Sequence, residues 1–511
     1  MEESPDSLQR PSSVKRPREW HRASACEMRA ALDSGALSSR ELVRAHLDRI
    51  AEIDPEIRAF TEVFRDAALE RADRLDDERR AGTLRGPLHG LPVSVEESFD
   101  FEGRATTLGL VARQSSSAPR DSLWVRALSN AGAIVLGRTN LPQLLRSVES
   151  DNPLFGRTSN PFSPRHAAGG QAAALGAGLS PLGFASEGRV AAHFCGVAAL
   201  TPTRGRLSHS APCSLIARSA GDLELVLDAL PAATLAELDP RIPPLLDPPA
   251  LPLRGVTVGV VHDFGLLAPS SALIGALERA GDALRAAGAR VEPCMLRDLE
   301  PLFFAAVERE LADGAQPLIE ALAGEPVAES LRTLHKLARV PRAVRAGLEK
   351  MARLAGDPET ARVIAAIDEK SASEYRALGE QIDALGRTLL EGWQTAGLAA
   401  ILCPPYATPA VPHGQSADFA IASCYSLPWT AAGLPAGVVP VTRVHGAEAR
   451  RDRVKGQLGR LARRIDEQSA GLPVGVQLVA PPWRERTLVA LMAAIERNVS
   501  GDVDYPRTPV W

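Results

Sequence analysis

Three short stretches carry side chains that could do chemistry. The run PVSVEESF sets two carboxylates, Glu96 and Glu97, at the end of a β-rich segment. Neighbours on an extended strand point to opposite faces, so this spacing does not make a general acid and base for one substrate. The second stretch, Ser186-Glu187-Gly188-Arg189, places a hydroxyl beside a carboxylate, with His193 and Cys195 just beyond. A serine or thiol becomes a nucleophile only with a base in hydrogen-bond reach, and histidine is the natural base near neutral pH. For Ser186 the base would have to be Glu96, through a realigned loop, and for His193 no partner is identifiable along the chain. Ser186 therefore reads as a turn residue, His193 as a packed histidine and Cys195 as a buried, inert thiol. The third stretch, Ser208-His209-Ser210, has triad residue types, but sequence neighbours seldom form a triad, and it reads as a loop.

The elements that must position these groups follow from pattern. Residues 1–20 are polar and Pro-rich and read as a disordered tail. Residues 24–80 read as N-terminal helices: Ser24 to Leu32 stops at Gly35, and Ser38 with Glu41 forms a capping box that opens ELVRAHLDRIAEI. The run from Pro55 to Arg80 reads as one further amphipathic helix. An α/β core is expected over 86–300. LHGLPVSV is a strand, WVRALSNAGAIVLGRTN reads helix, glycine turn, strand, and VTVGVVHDF is followed by a helix and ARVEPC. Between 169 and 200 the chain is rich in Gly, Ala and Ser, which permits close backbone approach for packing or for a reacting centre. Residues about 300–395 read as a helical cover. The core resumes over 398–500 with AAILCPPYATPAVP and GLPVGVQLV. Alternating strands and helices predict an α/β/α layered fold around a large mixed central β-sheet, in one domain over 21–500.

Composition narrows the function classes. With 58 Lys and Arg against 62 Asp and Glu the formal net charge is −4, so no basic excess marks nucleic acid as a partner. Aromatics at 4% argue against stacking platforms. The six cysteines are scattered, without CxxC or Cys/His clustering, so neither disulfides nor a metal site are signalled and no cofactor is called for. There is no signal-peptide h-region and no apolar run long enough to span a bilayer. A soluble, cytoplasmic protein is expected.

Colinear motifs then resemble the amidase signature family, most closely its fatty-acid-amide-hydrolase-like branch. They are GPLHGLPVSVEESFDFEGRATTLGL (Gly86 to Leu110), SVESDNPLFGRTSNPF (Ser147 to Phe162), FCGVAALTPTRGRLS (Phe194 to Ser208), and SLPWTAAGLPAGVVPVTRV followed by a charged insertion and SAGLPVGVQLVAPPWRE. The resemblance spans about residues 25–500. It implies amide hydrolysis by a Ser-Ser-Lys arrangement: a lysine after the GxPVxx motif, a bridging serine in a GGSSGG loop, and a nucleophilic serine in a GGS element whose N–H groups form the oxyanion hole.

At each of those places the chain departs. The lysine position is Glu96. The GGSSGG loop reads Ala168-Gly169-Gly170-Gln171, and the T-D-x-G-G-S-x-R element reads Ser186-Glu187-Gly188-Arg189, each about four residues short. The expectation is a degenerate amidase without an intact catalytic set, with a structural role or binding a small amide or acyl ligand. The alternative is an active C–N hydrolase or acyl-transfer enzyme using rearranged residues, with Ser186, His193 or Cys195 as rescuing groups. An inward Glu96 is expected either to pair with a cation from Arg189, Arg165 or His166, or to be solvated. A homodimer is left open.

Overall fold

The computed structural model describes residues 19–207, 213–245, 248–296 and 298–510. The tail expected over 1–20 and the Ser208-His209-Ser210 triplet fall almost wholly outside them.

Local chemistry sets the N-terminal helices. Ser24 and Glu27 cap Ala25–Asp33 reciprocally, and Ser38 and Glu41 do the same for Ser39–Ile57. The single helix expected from Pro55 to Arg80 is not formed. Arg58 turns left-handed with φ 55°, the strand β1 (Phe60–Val63) intervenes, and a separate helix runs Arg65–Arg80. The break has a local cause: the Asp54 carboxylate accepts from the Ala59 and Phe60 amides, which ends the helix, and FTEV is a β-favouring run.

The remaining strands are β2 (Pro92–Glu96), β3 (Ile134–Thr139), β4 (Asp151–Asn152), β5 (Gly156–Arg157), β6 (Leu182–Ala185), β7 (Ala198–Thr201) and β8 (Ser214–Ala217). After these come β9 (Thr257–Val260), β10 (Arg290–Pro293), β11 (Leu398–Cys403), β12 (Ala436–Arg443) and β13 (Pro473–Val479). Among the described residues, eleven of them form one sheet in the order β1-β3-β2-β6-β8-β7-β12-β13-β11-β9-β10, and β4 pairs with β5 alone. The sheet is mixed: β2 runs parallel to β3 and β6, and β9 parallel to β10 and β11, while β6-β8-β7-β12-β13-β11 pair antiparallel.

Alternation along the strands divides the core between the two faces. Val93, Val95, Val439, Val441, Leu402 and Leu478 join one apolar cluster; Ile134, Leu136, Val438, Ile401, Cys403 and Val479 join the other. Helices on both faces complete the layered α/β fold, among them Glu485–Val499 against β12 and Arg189–Cys195 against β13. Residues 299–395 form the helical cover, ending in Ala372–Thr395. Among the described residues, no helix is long and apolar enough to cross a membrane.

Candidate functional site

The period of two that buries Val93 and Val95 on one face of β2 puts Ser94 and Glu96 on the other. Gln171 Nε2 donates to Ser94 Oγ at 2.5 Å, and Gln171 Oε1 accepts from Thr139 Oγ1 at 2.8 Å, so Gln171 ties the strand to the helix Gly170–Gly176. Glu96 is 5% exposed. Its Oε2 accepts from Ser98 Oγ at 2.6 Å and from the Ser186 amide at 3.1 Å. Burial pushes its carboxyl above the usual range, and the Ser98 and Ser186 hydrogen bonds offset this only in part. Glu97 points away and accepts from the Thr107 and Leu108 amides, with Arg138 Nη1 at 3.9 Å; burial raises it too.

Among the described residues, no Lys, Arg or His nitrogen stands within 4 Å of Glu96, so the expected Glu96–Arg pair is not formed. Arg189 instead folds back on its own turn. Its Nε lies 3.1 Å from Glu187 Oε1 and its Nη2 3.2 Å from Oε2. Nη1 donates to Gln477 Oε1 on β13 at 3.0 Å, and Nη2 also reaches the Ser426 carbonyl and Thr430 Oγ1. A side chain on the first residue of a helix leans back toward the preceding turn, and Glu187 is the carboxylate waiting there. The Arg189 charge and hydrogen bonds hold the Glu187 carboxyl below its usual range. Arg165 and His166, the other expected cations, lie off the site. His166 Nδ1 is 2.8 Å from Ser163 Oγ, and burial lowers its pKa to about 4.

The backbone of this turn is engaged as well. The Ser186 amide donates to Glu96, the Gly188 amide to Ser214 Oγ at 3.0 Å, and the Arg189 amide to Glu187 Oε1 at 3.1 Å. On the facing loop the Gly170 amide donates to Ser150 Oγ at 2.8 Å. A side chain at Gly170 would put its Cβ 2.2 Å from the Asn140 carbonyl oxygen, so glycine is required by close approach.

Glu96, Gly169, Gly170, Gln171, Ser186, Glu187 and Arg189 line one cavity of about 380 Å³; Gly188 does not reach it. Sequence reading missed Ser147, Ser150, Glu310, Ser423, Ser426 and Thr430, which line the same cavity. The five hydroxyls gave only a concentration in two segments some 270 residues apart, and Glu310, at the end of the helix Leu299–Glu310, gave no signal. Among the described residues, no lysine lines the cavity: Lys336, Lys350 and Lys370 belong to the helical cover and Lys455 to the charged insertion.

His193 is not in the cavity. Its Nδ1 accepts from the Gly475 amide at 3.0 Å and its Nε2 lies 3.0 Å from the Thr408 carbonyl, which sets the neutral Nε2–H tautomer. Burial lowers its pKa to about 4. Cys195 is buried, and burial pushes its thiol far up, away from thiolate reactivity. Among the described residues, no three His, Cys, Asp or Glu side chains cluster as a metal site.

Comparison with known proteins agrees with this architecture. Fatty-acid amide hydrolase 1 of Sus scrofa is 29% identical over 496 residues, covering 91% of this chain and 83% of that protein. Indoleacetamide hydrolase of Bradyrhizobium diazoefficiens is 33% identical over 305 residues, covering 54% of this chain and 57% of that protein. Among solved structures, a fatty acid amide hydrolase superposes with a TM-score of 0.81 at 22% identity, covering 96% of this chain and 87% of that one. The peptide amidase of Stenotrophomonas maltophilia superposes at 0.66 with 24% identity, covering 96% and 99%. The amidase family model matches residues 41–489, which takes in both loops of the cavity and the strand that carries Glu96. The chain belongs to the amidase signature family.

Proposed function

We propose that this protein keeps the amidase fold and its central cavity but does not hydrolyse amides through a Ser-Ser-Lys set, and that the cavity holds a small ligand without turning it over. One observation carries the reading. Three of the four amides of the 186–189 turn, those of Ser186, Gly188 and Arg189, donate to internal acceptors instead of standing free for a substrate oxygen, and Glu96 is one of those acceptors. Oxyanion stabilisation needs preorganised donors aimed at the oxygen where charge develops, and removing one such donor costs about 10²–10³ in rate.

The facing loop adds support: Ala167 and Ala168, buried just before Gly169 and Gly170, carry no hydroxyl.

A second reading has its own observation. Ser186 lines the cavity beside Glu96, a carboxyl that burial makes more basic than usual and that stands in reach of Ser186 as a general base. Treatment with a fluorophosphonate probe, alongside a panel of acyl amides and aryl esters, separates the two. No labelling and no turnover above a mock-purified control is the expected result. Labelling or turnover abolished by Ser186→Ala would establish the second reading in its place.

A further inference from the structure

The cavity that contains Glu96 does not end there. A second cavity of about 570 Å³ adjoins it, and the two share Leu145, Ser147, Val148, Glu310, Ser423 and Leu427 as lining residues. Beyond that shared neck the lining turns apolar, with Phe303, Leu311, Leu331, Leu334, Val363 and Ile367. Each cavity is of the size of an ordinary small-molecule pocket. Ser330 also lines the second one, and its buried hydroxyl has no hydrogen-bond partner among the described residues. Such a group is costly to leave bare, which is a further mark of a site that something fills.

The charge in this continuous space is uneven. Arg189 is matched by Glu187, and Glu310 at the neck lies in the field of Arg146, which lines the second cavity. Neither Glu96 nor Glu310 has a cation within 4 Å among the described residues, and Glu96 lacks even the more distant charge that Arg146 gives Glu310. The groups that hold Glu96 are neutral, the Ser98 hydroxyl and the Ser186 amide, both on Oε2. A buried carboxylate without a counter-charge is unfavourable, and a ligand that brings the cation recovers the loss.

We propose that the two cavities form one binding site for a linear amphiphile with a primary ammonium head, the ammonium against Glu96 and the alkyl chain through the neck into the apolar cavity. The assignment rests on the reading of the cavity as a ligand site without turnover. It separates three head groups of similar size: an ammonium pairs with Glu96, a neutral amide gains a hydrogen bond only, and a carboxylate is repelled. The alkyl chain supplies affinity, and Glu96 supplies the choice of head.

The test is isothermal titration calorimetry of the full chain with hexyl-, octyl- and decylamine, each against the alkanoate and the alkanamide of equal length. Amines are expected to bind about fourfold more tightly per added methylene, the increment of burying one CH₂. Alkanoates are expected not to bind. Glu96→Gln, which keeps the shape and the hydrogen bond from Ser186, should weaken the amines about 10- to 100-fold, the loss for a hydrogen bond to a charged group. It should leave the methylene increment unchanged, and its thermal midpoint checks that it is folded. Leu334→Gln should instead flatten the chain-length dependence and keep the preference for amines. Alkanoates binding as well as amines, or Glu96→Gln leaving amine affinity intact, would overturn the proposal. Amide turnover in the same samples would instead overturn the non-catalytic reading, so the two failures are told apart by the readout.

Discussion

Glu96 Oε2 accepts a hydrogen bond from the Ser186 amide at 3.1 Å, which joins the end of β2 to the turn before the helix Arg189–Cys195. Ninety residues separate the two in sequence. The contact ties the place where the family resemblance puts a lysine to the turn where it puts the nucleophile's element. A lysine side chain offers donors and no acceptor, so it could not receive this N–H, and a carboxylate can. A carboxylate at 96 therefore matches the donor that the Ser186 turn presents.

The pH dependence of stability follows from that contact. The Glu96 carboxyl is raised by burial above its ordinary value of 4.5, so the folded state binds the proton more tightly than the unfolded chain. Its effect is a loss of stability that sets in as pH rises past 4.5 and is complete above the folded pKa; below 4.5 it vanishes. Glu96→Gln removes the charge and keeps the acceptor. Thermal midpoints between pH 4 and 8 should match the parent at the acid end and exceed it increasingly toward pH 8. Each unit of pKa displacement is worth about 1.4 kcal/mol. A constant offset across the range would show that Glu96 is not raised.

Arg189 gives a prediction of the opposite kind. Its side chain is 1% exposed while that of Glu187 is 40% exposed. Removing one member of a fully buried pair costs about 3–5 kcal/mol, because the other charge is stranded. Here the stranded member would be solvated, so the loss should come from the bonds to Gln477, Ser426 and Thr430. Arg189→Met should destabilise by about 2–3 kcal/mol in urea unfolding, each lost hydrogen bond counting about 1 kcal/mol. Adding Glu187→Gln to it should change little. A double variant much less stable than Arg189→Met alone would mean that Glu187 has a second partner.

What the sequence disclosed and what it withheld divide by the range of the contact. The capping boxes at Ser24 and Ser38 close within three residues, and the opposite facing of Glu96 and Glu97 needs only the strand period. The partner of Arg189 was misread because the choice between Glu96 and Glu187 depends on how the helix leaves its turn. Asp54 ends a helix where the apolar stripe through 55–80 predicts a continuous one, since a carboxylate accepting from two amides five and six residues on has no periodic signature. Ser426 and Thr430 come to Arg189 from some 240 residues away, and only the assembled sheet brings them there.

His193 supplies the last prediction, on the acid side. It bridges the Gly475 amide on β13 and the Thr408 carbonyl as a neutral ring, and burial lowers its pKa from 6.5 to about 4. The unfolded chain thus takes up the proton first. The stability this confers is complete above 6.5 and is lost as pH falls through 6.5 toward 4. His46, buried and lowered to about 3, acts in the same sense, so the parent should weaken steeply over this window. His193→Gln isolates one share of the loss, because a carboxamide can accept from Gly475 and donate to Thr408 but does not titrate. Urea unfolding at pH 7 should show the variant equal to or somewhat less stable than the parent. At pH 4 the parent's disadvantage should have grown by up to about 3 kcal/mol relative to the variant. Parallel curves from pH 7 to 4 would mean that His193 ionises in the folded protein, which requires one of its two backbone bonds to open.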